Sequence, residues 1–377
     1  MVWKINSLST LILLLTLCLS GCASIGGRVL AVTPINPTQH AGQPFTATVY
    51  TLPETNTPVI EATPTATLVI TQTATSTATP TQRPTRTPTG TFTPIPAAPV
   101  TVPTPVPAAI PQQPAVERVV IISIDGLRPD AWDLADTPQL DALRARGAYS
   151  PKARAIVPSV TLPSHASMLG GMTPEKHGVN WNIYDLSLGR IKGPTLFNVA
   201  HDAGLSTAMV VGKDKFDHLV LPGSVDNYRY AGFTDIQVTN SAVEVIQTAM
   251  PVVLFIHLPD TDTAGHATGW MSGGQLLVIS LTDGLIGNIV AALEEKDYLA
   301  GTMFIITSDH GGNGTIHGSG SPEDTTVPWL AVGPGVREGI ILQQDIVIYD
   351  TAATVLHALN LPIPEMWDGR PVLEIFN

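Results

Sequence analysis

Apolar residues along the chain come in short uninterrupted runs, three of which stop abruptly at acidic residues. Residues 118–124 end in Asp125-Gly126, and residues 302–307 end in Ser308-Asp309-His310-Gly311. Residues 252–257 lead through Leu258 and Pro259 to Asp260, Asp262 and His266. Runs without polar alternation fit strands buried on both faces. Two more lie at 206–211 and 327–332, with helical spacing at 136–146, 195–202, 241–250, 276–294 and 351–359. Strands alternating with helices predict an α/β fold, a mostly parallel central sheet with helices on both faces. Residues 116–377 suit one such domain. They contain no internal repeat, no Walker-type loop and no dinucleotide-binding glycine pattern.

Upstream the pattern changes. Residues 23–115 are dominated by Thr, Pro, Ala and Val, as in Pro80-Thr81-Gln82-Arg83-Pro84-Thr85-Arg86-Thr87-Pro88-Thr89, and show no apolar period. Repeated proline prevents helix and interrupts ladders. Such a segment cannot bury enough surface to offset its ordering entropy, so a disordered Pro/Thr-rich stalk is expected. Its fully extended polyproline reach would be on the order of 250 Å. A small β-domain between 27 and 70, around Val49-Tyr50-Thr51-Leu52, is the alternative. Residues 1–22 read as an export signal, with Lys4 at its start and an apolar core at 11–19 too short to span a bilayer. Leu19-Ser20-Gly21-Cys22 resembles a bacterial lipobox. Lipidation of Cys22 would anchor the protein to the outside of a bacterial cell membrane, whereas cleavage near Ala23 would make it an ordinary signal peptide.

The net charge of -12 argues against binding nucleic acid through a basic surface. It leaves phosphate esters open as substrates, because bound metals reverse the field of a carboxylate-lined site. Cys18 and Cys22 are the only cysteines, so a metal site in the globular part must use His, Asp, Glu or hydroxyl ligands.

In open α/β sheets ligands bind beyond the carboxyl ends of the strands, which is where the three acidic stops fall. One cluster can be Asp125, Asp309 and His310; the other can be Asp262, His266 and His317. Oxygen and imidazole donors suit zinc or manganese. Two such ions about 4 Å apart would clamp the attacking and leaving oxygens of an in-line displacement at phosphorus. Thr161, in Ser159-Val160-Thr161-Leu162-Pro163-Ser164-His165, sits where a loop opens a helix, a place that favours an anion. Metal coordination would activate its hydroxyl as a nucleophile; the plain alternative is a helix cap. Asp260 ranks behind Asp262, which keeps the four-residue spacing to His266. His165 and His177 are expected to give supporting hydrogen bonds, and His257 to be a satisfied core histidine. Trp181, Tyr184 and Trp270 either line a groove or simply pack. Lys213 and Lys215 are expected at the surface.

Taken in order, Ile124-Asp125-Gly126, Thr161-x-Pro163-x-His165, Glu175-Lys176-His177-Gly178, Asp262-x-x-Gly265-His266 and Ser308-Asp309-His310-Gly311 resemble the motifs of the type I phosphodiesterase/nucleotide pyrophosphatase family of the alkaline phosphatase superfamily. The resemblance runs through nearly all of residues 118–360. It implies an alkaline-phosphatase-like fold and two divalent ions, zinc or manganese, held by the two clusters above with Thr161 as both ligand and nucleophile. It also implies that Asn182 donates to a phosphate oxygen. The substrate would be a small phosphate ester or nucleotide. His317 follows His310 by only seven residues, where animal members carry an insertion, so substrate choice transfers less well than metal chemistry. A phosphomonoesterase using Lys213 or Lys215 is the nearest rival. A sulfatase would need a Cys or Ser before Pro-x-Arg, and this chain has Thr161-Leu162-Pro163-Ser164-His165. A phosphoglycerate mutase relative would need a serine nucleophile and an inserted domain. A surface-binding lipoprotein with a degenerate enzyme fold is the rival from another class, and the complete set of candidate ligands speaks against it.

Overall fold

The runs of β-branched residues do form the centre of a sheet. The computed structural model describes residues 116–376. The expectations for the export signal, Cys22 and the stalk lie outside the described residues. The strands are β1 (Arg118–Ile124), β2 (Ala148–Arg154), β3 (Thr207–Val211), β4 (Asn227–Tyr230), β5 (Val253–Leu258), β6 (Thr302–Thr307), β7 (Thr326–Val332) and β8 (Ile340–Ile341). Their spatial order is β4-β3-β5-β1-β6-β7-β2-β8. The five from β4 to β6 run parallel, β7 is antiparallel to both its neighbours, and β8 is parallel to β2.

The α-helices longer than a single turn are α1 (Pro129–Leu134), α2 (Pro138–Ala145), α3 (Thr161–Gly170), α4 (Leu196–Asp202), α5 (Asp235–Ala249), α6 (Asp260–Thr268), α7 (Gly273–Glu295) and α8 (Asp350–Ala358). Alternate residues of each central strand serve opposite layers, as the pleat requires. Val119 and Ile121 of β1 pack with Leu162 and Met168 of α3, Phe197 of α4 and Leu356 of α8. Val120, Ile122 and Ile124 pack with Trp132 of α1, Leu140 of α2, Val245 of α5 and Ile286 of α7. Helix α7 is long and apolar enough to cross a membrane by length and composition. One face of it packs on the core: Ile279, Ile286 and Ile289 are buried, and Asp283 accepts the Leu140 and Gln139 amides at 2.7 and 3.1 Å.

The structure adds elements that apolar patterning alone does not announce. Strand β2 contains Pro151 and Lys152 at a register shift between Ser150 and Ala153. Helix α5 begins at Asp235, ahead of the expected 241, because the Thr234 side chain accepts the Gln237 amide and caps it.

Candidate active site

Strand β1 lies between β5 and β6, so the acidic stops of all three reach the same edge. Asp125 follows β1 directly and is fully buried. Gly126 then turns the chain at φ +74°, and a Cβ there would stand 3.1 Å from Asp262 Cα. Only glycine both tolerates that dihedral and lets the turn lie against Asp262. The turn is tied down by the Gly126 amide donating to Asp309 Oδ1 (3.2 Å) and the Leu127 amide donating to Ser308 Oγ (2.9 Å). Strand β5 passes through Pro259 into α6, which carries Asp262 and His266 one turn apart.

The structure brings the expected residues together in the expected two groups. Asp125, Asp309 and His310, all buried, offer ligand atoms within 4.8 Å of one another, and so do Asp262, His266 and His317. Each histidine is oriented by its other nitrogen. Nδ1 lies 2.8 Å from the Gly311 carbonyl in His310, 2.9 Å from the Thr315 carbonyl in His266 and 2.9 Å from the Ser159 carbonyl in His317. A carbonyl only accepts, so Nδ1 carries the proton and each Nε2 turns a lone pair inward, as a metal-binding imidazole must. The His310 and His317 rings stack at 3.7 Å across the two groups.

Four buried atoms in these groups have no hydrogen-bond partner: Asp125 Oδ1, Asp262 Oδ1, Asp309 Oδ2 and His310 Nε2. Buried polar atoms are seldom left so. Their convergence, with only oxygen and imidazole nitrogen in the set, fits a pair of divalent ions. Electrostatics point the same way. Burial and the Asp125 carboxylate push Asp309 well above the usual carboxylate range. Burial would raise Asp125 too, but Lys213, His257 and His310 together hold it well below. Burial lowers His310, and burial with His310 lowers His317 to about 4, so both rings are neutral at physiological pH. A cation in each group would relieve the crowded carboxylates without competing with charged imidazole.

Thr161 is the first residue of α3 and is 1% exposed. The capping position belongs to Val160, whose side chain makes no cap hydrogen bond, so the plain reading of Thr161 as a helix cap does not describe it. Asn182 Oδ1 accepts the Leu162 amide at 2.9 Å and lies 3.1 Å from Lys215 Nζ, which leaves its Nδ2 as a donor. His165 Nδ1 is 2.8 Å from the Thr161 carbonyl and its Nε2 is 2.8 Å from Ser123 Oγ, a supporting role. His177 supports α3 through Ser167 Oγ at 3.0 Å.

Other residues take different places from those expected. Lys213 is not at the surface: its Nζ lies 2.6 Å from Asp125 Oδ2, 2.7 Å from Asp262 Oδ2 and 3.3 Å from Thr161 Oγ1. Gly212 precedes it, and a side chain there would collide with Pro259, so this strand end is pressed against the end of β5. His257 is buried as expected, but its Nε2 also orients Asp125 Oδ2 at 2.9 Å. Asp260 faces away and caps α5, accepting the Asp235 amide at 3.0 Å. Trp270 packs, donating to the Gly126 carbonyl at 2.8 Å. Tyr184 is exposed. The position of Lys213 at the carboxyl end of β3 was the available signal for it, since β1, β5 and β6 deliver their polar residues in the same way.

Fold and site together describe an α/β scaffold with a two-group donor set at the carboxyl edge of its sheet. The sequence profile of the type I phosphodiesterase/nucleotide pyrophosphatase family matches residues 119–319, more than half of the chain, and the chain belongs to that family. It is 24% identical over 214 residues to ectonucleotide pyrophosphatase/phosphodiesterase family member 3 of Rattus norvegicus, covering 51% of this chain and 24% of that protein. It is 25% identical over 215 residues to a venom phosphodiesterase of Macrovipera lebetinus, covering 51% and 25% respectively. An uncharacterized pyrophosphatase/phosphodiesterase of Schizosaccharomyces pombe is 26% identical over 216 residues, with 51% and 44% covered. The chain thus spans about a quarter of the length of the two animal relatives. Among solved structures, inactive murine ectonucleotide pyrophosphatase/phosphodiesterase 5 in complex with AMP superposes with a TM-score of 0.61 at 16% identity, over 69% of this chain and all of that one. A 2-O GAG sulfatase superposes with a TM-score of 0.58 at 17% identity, over 69% and 73%. The structural likenesses establish the alkaline-phosphatase-like fold.

Proposed function

We propose that the chain is a metal-dependent hydrolase of phosphate esters, of the phosphodiesterase and nucleotide pyrophosphatase type, in which Thr161 carries the phosphoryl group between two displacements. One observation supports this most. Lys213 Nζ is within 3.3 Å of Thr161 Oγ1, Asp125 and Asp262 at once, so the hydroxyl stands where the two ligand groups meet. Zinc or manganese held by Asp125, Asp309 and His310, and by Asp262, His266 and His317, would supply Lewis acidity for the nucleophile and the leaving oxygen.

In the first displacement Thr161 Oγ, its proton released to water, bonds to phosphorus as the ester oxygen leaves with its electron pair. In the second, a water oxygen bonds to phosphorus and Thr161 regains its hydroxyl. The chain's contribution is preorganisation: a buried nucleophile fixed at a helix start needs little rearrangement. Asn182 Nδ2 donates to a non-bridging oxygen as negative charge develops there. Ligands must be deprotonated, so activity belongs at neutral to alkaline pH; an optimum below about pH 5 would contradict the scheme.

The test is hydrolysis of a nitrophenyl phosphodiester, the matching monoester and the sulfate ester, with and without chelator. Phosphoryl ester cleavage lost on chelation, restored by zinc, and reduced at least about a thousandfold in Thr161→Ala is the expected result. Full activity of Thr161→Ala would sink the proposal. Absence of turnover in zinc and manganese would favour a binding lipoprotein. The same proposal makes 116–377 the catalytic domain, joined by a stalk at 23–115 to a lipid on Cys22 outside a bacterial membrane. Palmitate labelling that survives Cys22→Ser would remove the anchor.

A further inference from the structure

The stretch between His310 and His317 contains a tight hairpin turn, and that turn holds the one Asn-Gly pair in the chain. Asn313 and Ile316 pair across it. The Asn313 amide donates to the Ile316 carbonyl at 2.9 Å, and the Ile316 amide donates back at 3.2 Å. Gly314 takes the first central position at φ +58°, where a two-residue turn favours glycine. Residues 313–316 are all exposed. Among the described residues, the Asn313 side-chain amide makes no hydrogen bond and the Gly314 N–H donates none.

An asparagine so placed can cyclise on its own backbone. The Gly314 nitrogen attacks Asn313 Cγ and loses its proton to solvent. A new N–Cγ bond forms, and the side-chain nitrogen leaves as ammonia. Water then opens the five-membered imide at either carbonyl, giving aspartate or isoaspartate, and is the only co-reactant. No Cβ obstructs the approach of the glycine nitrogen, and a Cβ built at Gly314 would meet nothing within 4 Å. Only the two backbone hydrogen bonds of the turn must open, a small local event at a loop tip. Asn182 and Asn288 are each followed by an isoleucine, whose branched side chain crowds the same attack.

The turn also supports the outer ligand group. The Thr315 carbonyl orients His266 at 2.9 Å, and the Gly314 carbonyl accepts the Trp270 amide at 2.7 Å. Isoaspartate routes the backbone through the former side-chain carbon, which inserts one methylene between residues 313 and 314. Both carbonyls lie just beyond that insertion, and His317 follows Thr315 by two residues.

We propose that Asn313 is a site of spontaneous deamidation whose isoaspartyl product loosens the outer ligand group. The chain thus carries an ageing step that quickens at alkaline pH, where the Gly314 nitrogen loses its proton more readily. The modification rests on the turn alone. Its consequence rests on the reading of His266 as a metal ligand.

The experiment ages the full zinc-loaded chain at mildly alkaline pH and samples it over days. Peptide mass spectrometry with fragmentation that separates aspartate from isoaspartate reads position 313, and a zinc titration of kcat/KM reads the outer group. Both products are expected to accumulate at 313, faster as pH rises, while Asn240 inside α5 changes far less. The zinc needed for half-maximal activity should rise about tenfold or more in the isoaspartyl fraction, the usual worth of a group that orients a metal-binding histidine. Asn313→Gln, whose longer side chain cannot close the five-membered ring, should start at wild-type activity and keep it. Asn313→Asp, assayed fresh, adds the charge without lengthening the backbone and should keep the wild-type zinc requirement. An unmodified Asn313 after ageing overturns the proposal, as does an isoaspartyl fraction with an unchanged zinc requirement. So does a fresh Asn313→Asp that needs as much zinc as the aged enzyme. Failure of the ligand reading would show separately, as an unchanged zinc requirement in His266→Ala, while mass spectrometry would still report the modification.

Discussion

The two candidate ligand groups are alike in chemistry and unlike in support. Asp125, Asp309 and His310 follow the central strands β1 and β6 and are fully buried. Asp262, His266 and His317 sit on a helix and a loop, and the His266 side chain is 46% exposed. The inner group is held by the sheet itself, with His257 behind Asp125 and the Gly126 amide on Asp309. The outer group depends on α6, whose first residue is held by a reciprocal cap: the Asp260 amide donates to Asp235 at 2.9 Å and the Asp235 amide donates back to Asp260 at 3.0 Å. A buried ligand cannot be replaced by water, whereas a partly exposed one can. The inner group should therefore tolerate no substitution, whereas in the outer group loss of the exposed His266 should be graded and recoverable.

The largest expected effect is at the inner group. Asp309→Asn should lower kcat/KM by more than about a thousandfold and reduce bound zinc, with no recovery in excess metal, because the substitution leaves a neutral amide in a fully buried donor set. Activity within tenfold of wild type would break the contrast. Next, His266→Ala should cost about ten- to a hundredfold, with most of the loss regained at high zinc, read by a zinc titration of kcat/KM. A third test concerns the support of α6. Burial and the Asp260 charge raise Asp235 from 3.8 to about 7. A carboxyl with a raised folded pKa contributes stability below its unfolded value and loses it as pH rises through about 7. Asp235→Asn, which keeps an acceptor for the Asp260 amide and a donor for Thr282, should therefore raise Tm at pH 8 relative to wild type by more than at pH 5. The smallest effect concerns α3. Burial lowers His177 to about 4 from 6.5. A histidine with a depressed folded pKa gives stability above its unfolded value that is lost as pH falls toward about 4. His177→Gln should flatten the Tm profile over that window by a few °C.

The same contrast explains what could be read in the chain before its structure. Strands β1, β5 and β6 were legible because burial on both faces demands unbroken apolar runs, and their acidic stops stood out against them. Strand β2 was not, since Pro151 and Lys152 sit at a register shift near the sheet edge, where neither apolarity nor a full ladder is required. Helix α6 was hidden because Asp260-Thr261-Asp262-Thr263 has weak helix propensity; its start is fixed by Asp235, which is distant in sequence. The grouping of candidate ligands was visible in the order of motifs, but their orientation was not. The carbonyls that set each histidine tautomer belong to residues 159, 311 and 315, which no side-chain pattern marks. Lys213 was misplaced because a lysine after a strand is expected to point outward, whereas here the strand end lies close against Pro259 and the ammonium pairs with Asp262.

The central claim is that Thr161 becomes phosphorylated during turnover, and the most direct measurement is mass spectrometry of the zinc-loaded enzyme quenched in acid while hydrolysing a nitrophenyl phosphate ester. The account predicts a peptide containing Thr161 that carries one phosphoryl group, present with substrate, absent after chelation and absent from Thr161→Ala. Sustained turnover with that peptide unmodified, or with the phosphoryl group on another residue, would contradict it.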